Sequence, residues 1–280
     1  MKKIRVDKSV FNRILGLSCV ENYALYILIQ SNYEYRFLYA ESFVPFFDVV
    51  ASFIVDSVSY ASFNKIKRIQ DIAFTEGLIG LSIFNNLKEG IDKSDYCLIK
   101  VSPNYVIGKY GRNLWRDDHY ILLCDQNADN LTCLNDNPRD IIEINECELS
   151  DAYGGQVISF NTLMEIKKEY QDRLLSTFTR AILMPQRKVD FTIINIEIAR
   201  DILGIIRTTR KRIKEYCSIY FATDFMAEYI ARIDKVYAMC EYMRLRKRVD
   251  CDKIRLALYE IQENDFMMLD KLKLEMRGIQ

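Results

Sequence analysis

Beyond residue 160 the chain repeats apolar residues three and four apart, while before it the spacing changes from stretch to stretch. The later part predicts four helices. "NTLMEIKKEYQDRLLSTFTRAILM" runs to a break at Pro185, and "DFTIINIEIARDILGIIRTTRKRIKEYC", "TDFMAEYIARIDKVYAMCEYMRLRKR" and "DCDKIRLALYEIQENDFMMLDKLKLEMR" follow. Each opens on Asn, Asp or Thr, whose side chains cap the unpaired N–H groups of a first helical turn. Short connections between them predict an antiparallel bundle.

The earlier part mixes two periods. "SCVENYALYILIQ" (18–30), residues 43–63 and "TEGLIGLSIFNNLKEG" (75–90) read as helices, the last starting at Thr75 and ending at Gly90. "YCLIKVS" (96–102), "HYILLCD" (119–125), "NLTCLND" (130–136) and "DIIEIN" (140–145) read as strands. Several are apolar on both alternating faces, the pattern of strands packed between layers. The fold class expected is α+β: a mixed domain over 1–159, then an all-α helical domain over 160–280.

Composition narrows the function classes. The 280 residues are 50% apolar and 28% charged, with 10 Gly and 4 Pro, as in an ordered globular protein. Acidic and basic residues balance at 39 each, so no global charge draws the chain to nucleic acid or an anionic membrane. The local basic runs "RTTRKRIKEY" (207–216) and "RLRKR" (244–248) fall in helical patterns and read as solvated helix faces. Asp7, Lys8, Asn12 and Arg13 interrupt what would be the apolar core of a signal peptide. Residues 43–63 are the nearest approach to a membrane span. Asp48 and Asp56 lie inside it, each costing about 2.5–3.5 kcal/mol near a bilayer centre, so a buried helix or helix pair is expected. The expected location is cytoplasmic. Eight scattered cysteines form no Cys-x-x-Cys pair and accompany a single histidine, which argues against structural zinc; no metal or cofactor is expected.

That histidine, His119, opens one strand, and Asp136 ends the next. With the hairpin centred between Asn127 and Ala128 the two are direct cross-strand neighbours, and the carboxylate can fix the imidazole tautomer. A one-residue slip puts them on opposite faces and offers Asn135 instead. The candidate nucleophile is Cys19. "SCVE" fits a capping box, with Ser18 as N-cap and Glu21 at the third helical position, and so places Cys19 in a first helical turn. There the unpaired N–H groups and the positive end of the helix dipole favour a thiolate, so a lowered thiol pKa is expected. Cys19's own N–H is a donor for an oxyanion. Cys, then His, then Asp or Asn is the order of a papain-type site.

"GLSCVENYALYILIQ", "YCLIKVSPNYV", "HYILLCDQNADNLTCLNDNP" and "ELSDAYGG" resemble the butirosin biosynthesis protein H family and, more distantly, the papain-like peptidases that trim bacteriocin leader peptides. The resemblance covers roughly 15–160 and implies a papain-like fold for the first domain. It makes Cys19 the nucleophile, His119 the general base and acid, and Asp136 the orienter. It implies transfer of an acyl group from an acyl carrier protein thioester to a small-molecule amine. Two positions depart from the patterns: Arg13 stands where the peptidases carry a Gln oxyanion donor, and Ser18 where the butirosin-type pattern has His. The second oxyanion donor is thus left unassigned. "SPNYVIGKYGRNLWRDD" (102–118) is the candidate substrate-lining segment. Two other readings stay open. One is peptide or amide hydrolysis by the same residues; the other is a non-catalytic papain-like binding protein whose helices 160–280 form a homodimer or partner surface.

Overall fold

Ser18 is extended (φ −149°, ψ 164°), and its side chain accepts the Glu21 N–H at 3.2 Å, so the first α-helix, α1, starts at Cys19 and runs Cys19–Gln30. Glu21 is fully buried, and its carboxylate accepts from the backbone N–H groups of Leu17 and, at 2.8 Å, of Ile69. It thereby joins the loop before α1 to the next helix packed on it. A computed structural model describes residues 2–60, 62–112, 118–127, 130–161, 168–192 and 194–279. Residues 113–117, which include Trp115 of the candidate lining segment, lie outside the described residues, as do 128–129 of the expected hairpin turn and 162–167 of the first expected C-terminal helix.

The fold is mixed α+β. The helices after α1 are α2 (Phe46–Ile54), α3 (Ile69–Thr75), α4 (Leu87–Asp92), α5 (Pro103–Tyr110), α6 (Glu146–Ala152), α7 (Lys168–Ile182), α8 (Ile196–Cys217), α9 (Asp224–Leu245) and α10 (Cys251–Arg277). The strands are β1 (Gly80–Phe84), β2 (Tyr96–Val101), β3 (Tyr120–Gln126), β4 (Asn130–Asp136), β5 (Arg139–Asn145) and β6 (Tyr153–Asn161). They form one antiparallel sheet in the order β1-β6-β2-β3-β4-β5.

By internal packing the chain forms two units. The first is Met1–Tyr35 with Arg68–Ile166, and the second is Arg36–Lys67 with Lys167–Gln280. In the first, α1 packs on β2, β3 and β4. Ile99, Ile121, Leu123, Cys133, Ile142 and Val157 form a buried cluster with Ile91 of α4, Val106 of α5 and Ala152 of α6. The sheet is therefore covered on both faces, which explains the apolar residues on both sides of β3.

In the second unit α8 packs on α2, α9 and α10 and buries Ile202, Leu203, Ile205, Ile206 and Ile213 completely. Each such side chain contributes about 1.5–3 kcal/mol relative to exposure. The expected division at residue 160 placed 36–67 in the first domain, whereas those residues cluster with the helical unit. Side-chain chemistry explains the attachment. Arg210 of α8 donates to the Val44 carbonyl at 3.0 Å and lies over the Phe43 ring, and Arg212 lies over the Tyr39 ring. Both arginines are fully buried, so the basic run 207–216 is not simply a solvated face. Arg207 and Lys211 of the same run pair with Asp234 of α9 near the surface, and Arg246, Lys247 and Arg248 are exposed.

Two expected helices are also revised. Among the described residues of 43–63 only Phe46–Ile54 is helical, because Pro45 caps its start and Ser57 turns the chain at φ 53°. Within 75–90 the chain instead leaves α3 through Gly77, whose φ of 68° costs least in a residue without a side chain, then forms β1 and re-enters a helix capped by Asn86. Among the described residues no single helix is long and apolar enough to cross a membrane.

Candidate active site

The site is built where the start of α1 meets the open ends of β3 and β4, all within the first unit. The register of β3 on β4 sets Leu122 opposite Leu134 and Leu123 opposite Cys133. This is one residue away from the expected register, in which Leu122 would face Cys133. Continued outward, it puts Asn135 on the sheet face of His119 and Asp136 on the face covered by α1.

The side chains follow from that. His119, 6% exposed, has its Nε2 2.7 Å from Asn135 Oδ1. The Asn135 amide nitrogen donates to the Tyr110 hydroxyl at 3.4 Å, which orients the amide with its oxygen toward the ring. A carbonyl oxygen only accepts, so Nε2 carries the proton and the Nδ1 lone pair is the basic one. Asp136 was expected to be the orienter through direct cross-strand pairing. Its Oδ1 instead stands 3.6 Å from Nε2, beyond hydrogen-bond length. Its partners come from α1: Asn22 donates to Oδ2 at 2.6 Å, the Tyr23 hydroxyl donates to Oδ1 at 3.4 Å, and the Asp136 N–H donates to that hydroxyl at 2.9 Å. Asn22 and Tyr23, which the sequence reading missed, follow Cys19 by three and four residues, one helical turn on, and that spacing is the signal that could have found them. Gly16 makes room for Asn22, since a Cβ there would lie 1.9 Å from Asn22 Oδ1.

Cys19 is half-buried at the first helical position. Its sulfur is met by the backbone N–H of Tyr120, the residue after His119, and by the N–H groups of Val20 and of Cys19 itself. The expected low thiol pKa does not follow. Burial pushes the Cys19 thiol up to about 11, the N–H groups oppose this, and the Asp136 charge adds to the rise. Desolvation of the thiolate outweighs the helix N-terminus here. Burial also holds His119 below its ordinary value, against the pull of the Asn135 hydrogen bond and the Asp136 charge. The resting pair is therefore a thiol and a neutral imidazole. Chemically this is a nucleophile that must lose its proton as it reacts, and a base of fixed tautomer on the residue before the one whose N–H meets the sulfur.

The candidate lining segment 102–118 is helical over Pro103–Tyr110. With Glu143, Glu148 and Asp151 it borders an open groove of about 770 Å³, which neither Cys19 nor His119 lines. Its link to the site is Tyr110. Among the described residues no group of three or more His, Cys, Asp and Glu side chains could hold a metal ion. No family model and no curated protein matches the chain.

Proposed function

We propose that the first unit is a papain-like cysteine acyltransferase in which Cys19 is the nucleophile, His119 the base and acid, and Asn135 the orienter. The observation that carries this reading is the 2.7 Å contact from His119 Nε2 to Asn135 Oδ1, with the next residue's N–H turned to the Cys19 sulfur. As the sulfur attacks a thioester carbonyl, its proton passes to His119 Nδ1. The N–H groups at the start of α1 stabilise the oxyanion. Collapse expels the donor thiolate, which takes the proton from His119 and leaves acyl-Cys19. An amine then attacks the acyl group, His119 accepts the amine proton, and Cys19 leaves with that proton returned to it. The resemblance adds an acyl carrier protein as donor and a small-molecule amine as acceptor.

The raised thiol is the observation that favours a second reading, a papain-like scaffold that binds a partner without catalysis. Incubation with a short acyl thioester and excess amine tests both. Amide formation that disappears in Cys19→Ala supports the transferase, free acid alone supports a hydrolase, and no turnover supports the binding protein.

A further inference from the structure

Asp136 has no position in the mechanism above, yet it is costly to place. Its side chain is 7% exposed, it lies 3.6 Å from a nitrogen already engaged by Asn135, and two side chains of α1 hold it there. A buried carboxylate with two bonds from α1 side chains and none at hydrogen-bond length to the imidazole is poorly suited to orient the ring. It is well suited to act on the ring by charge.

We propose that Asp136 is a positioning residue separate from Asn135: anchored by α1, it supplies the counter-charge for an imidazolium at His119 and stands as a like charge to the Cys19 sulfur. Asn135 sets which nitrogen holds the proton, and Asp136 sets how readily the ring accepts a second one. The proposal rests on the functional reading above for its effect on turnover, while its effect on His119 ionisation rests on the 3.6 Å separation of charge and ring. Among the described residues the other titratable groups around this pair are Cys19 and Tyr23 of α1, Tyr120 of β3, Tyr110 of α5 with Asp140 of β5 beside it, and Asp118, which is paired with Lys100 of β2 at 2.6 Å. Of these carboxylates only Asp136 acts on both His119 and Cys19.

Removal of the charge has a signature that loss of structure does not share. In Asp136→Asn, His119 loses an attractive charge and Cys19 a repulsive one, so both titration midpoints fall. If the variant merely opened the site, relief of desolvation would raise His119 while lowering Cys19. His119 is the only histidine in the chain, so its imidazole signal in NMR is unambiguous, and Cys19 is followed by the pH dependence of its alkylation in peptide mass spectra. In Asp136→Asn the His119 midpoint is expected to fall by about 1 unit, as for an opposite charge within 4–6 Å, and the Cys19 midpoint to fall with it. Acylation of Cys19 by a thioester slows by roughly tenfold while alkylation at pH 9 becomes faster. Asp136→Glu is expected to restore both midpoints toward wild type. Unchanged midpoints, or a rise of His119, overturn the proposal. A wild-type protein that takes no acyl group overturns the acyltransferase reading, and the two midpoints still decide the role of Asp136.

Discussion

His119 is held through its Nε2 by Oδ1 of Asn135 at 2.7 Å, a diagonal contact between neighbouring antiparallel strands. The amide settles the tautomer without adding charge, so the basic nitrogen is Nδ1. Asn135→Ala removes the acceptor from a buried N–H, which costs about 1–3 kcal/mol in denaturant unfolding. It also frees the ring to rotate and is expected to slow acylation of Cys19 by about 100-fold, within the span of general acid–base contributions. An unaltered rate in a folded Asn135→Ala protein removes the orienter from the mechanism.

The raised thiol gives a pH dependence of definite sign. A thiol pushed up to about 11 is almost wholly protonated at neutral pH, so alkylation of Cys19 rises continuously from pH 7 to 10 with no acidic plateau. The rate is followed by the mass of the Cys19 peptide after timed iodoacetamide exposure. A plateau near pH 6 reports a thiolate–imidazolium pair at rest and contradicts this description.

The positions of the three candidate site residues were legible for local reasons. "SCVE" signals a helix start from four residues, and the strands around His119 and Asp136 show as apolar runs. Register was not legible, because it depends on the turn and on a β-bulge between Leu123 and Asp125. Beyond the bulge Gln126 faces Leu131, two residues past the partner that the assumed turn centre gives, and the bulge takes one of those residues back, so the count is one residue wrong on reaching His119. Charge burial was equally hidden: Arg210 reads as surface until Asp265, fifty-five positions later, is brought beside it.

Gly16 is required by the Asn22 side chain, which a Cβ would meet at 1.9 Å. Gly16→Ala is expected to destabilise by about 1–3 kcal/mol, as overpacking does, and to pull Asn22 from Asp136. Removing the obstructing amide relieves the conflict, so Gly16→Ala with Asn22→Ala costs less than the two single variants added together. Chemical denaturation of the four proteins measures this coupling. Strict additivity means that the two residues do not compete for the space.

In the helical unit Arg210 and Asp265 form a bidentate pair at 2.7 and 2.8 Å, both fully buried. Arg210→Met strands a carboxylate and is expected to cost about 3–5 kcal/mol, whereas Arg210→Met combined with Asp265→Leu recovers most of it. Equilibrium unfolding in urea distinguishes the cases. A single variant as stable as wild type means that the pair is solvated in solution.

The most direct measurement is the intact mass of the protein after exposure to a short-chain acyl thioester. The wild type is expected to gain one acyl group on Cys19, slowly or not at all in His119→Ala and never in Cys19→Ala. Wild type that gains no mass, or an adduct that persists in Cys19→Ala, contradicts the assignment of Cys19 as the nucleophile.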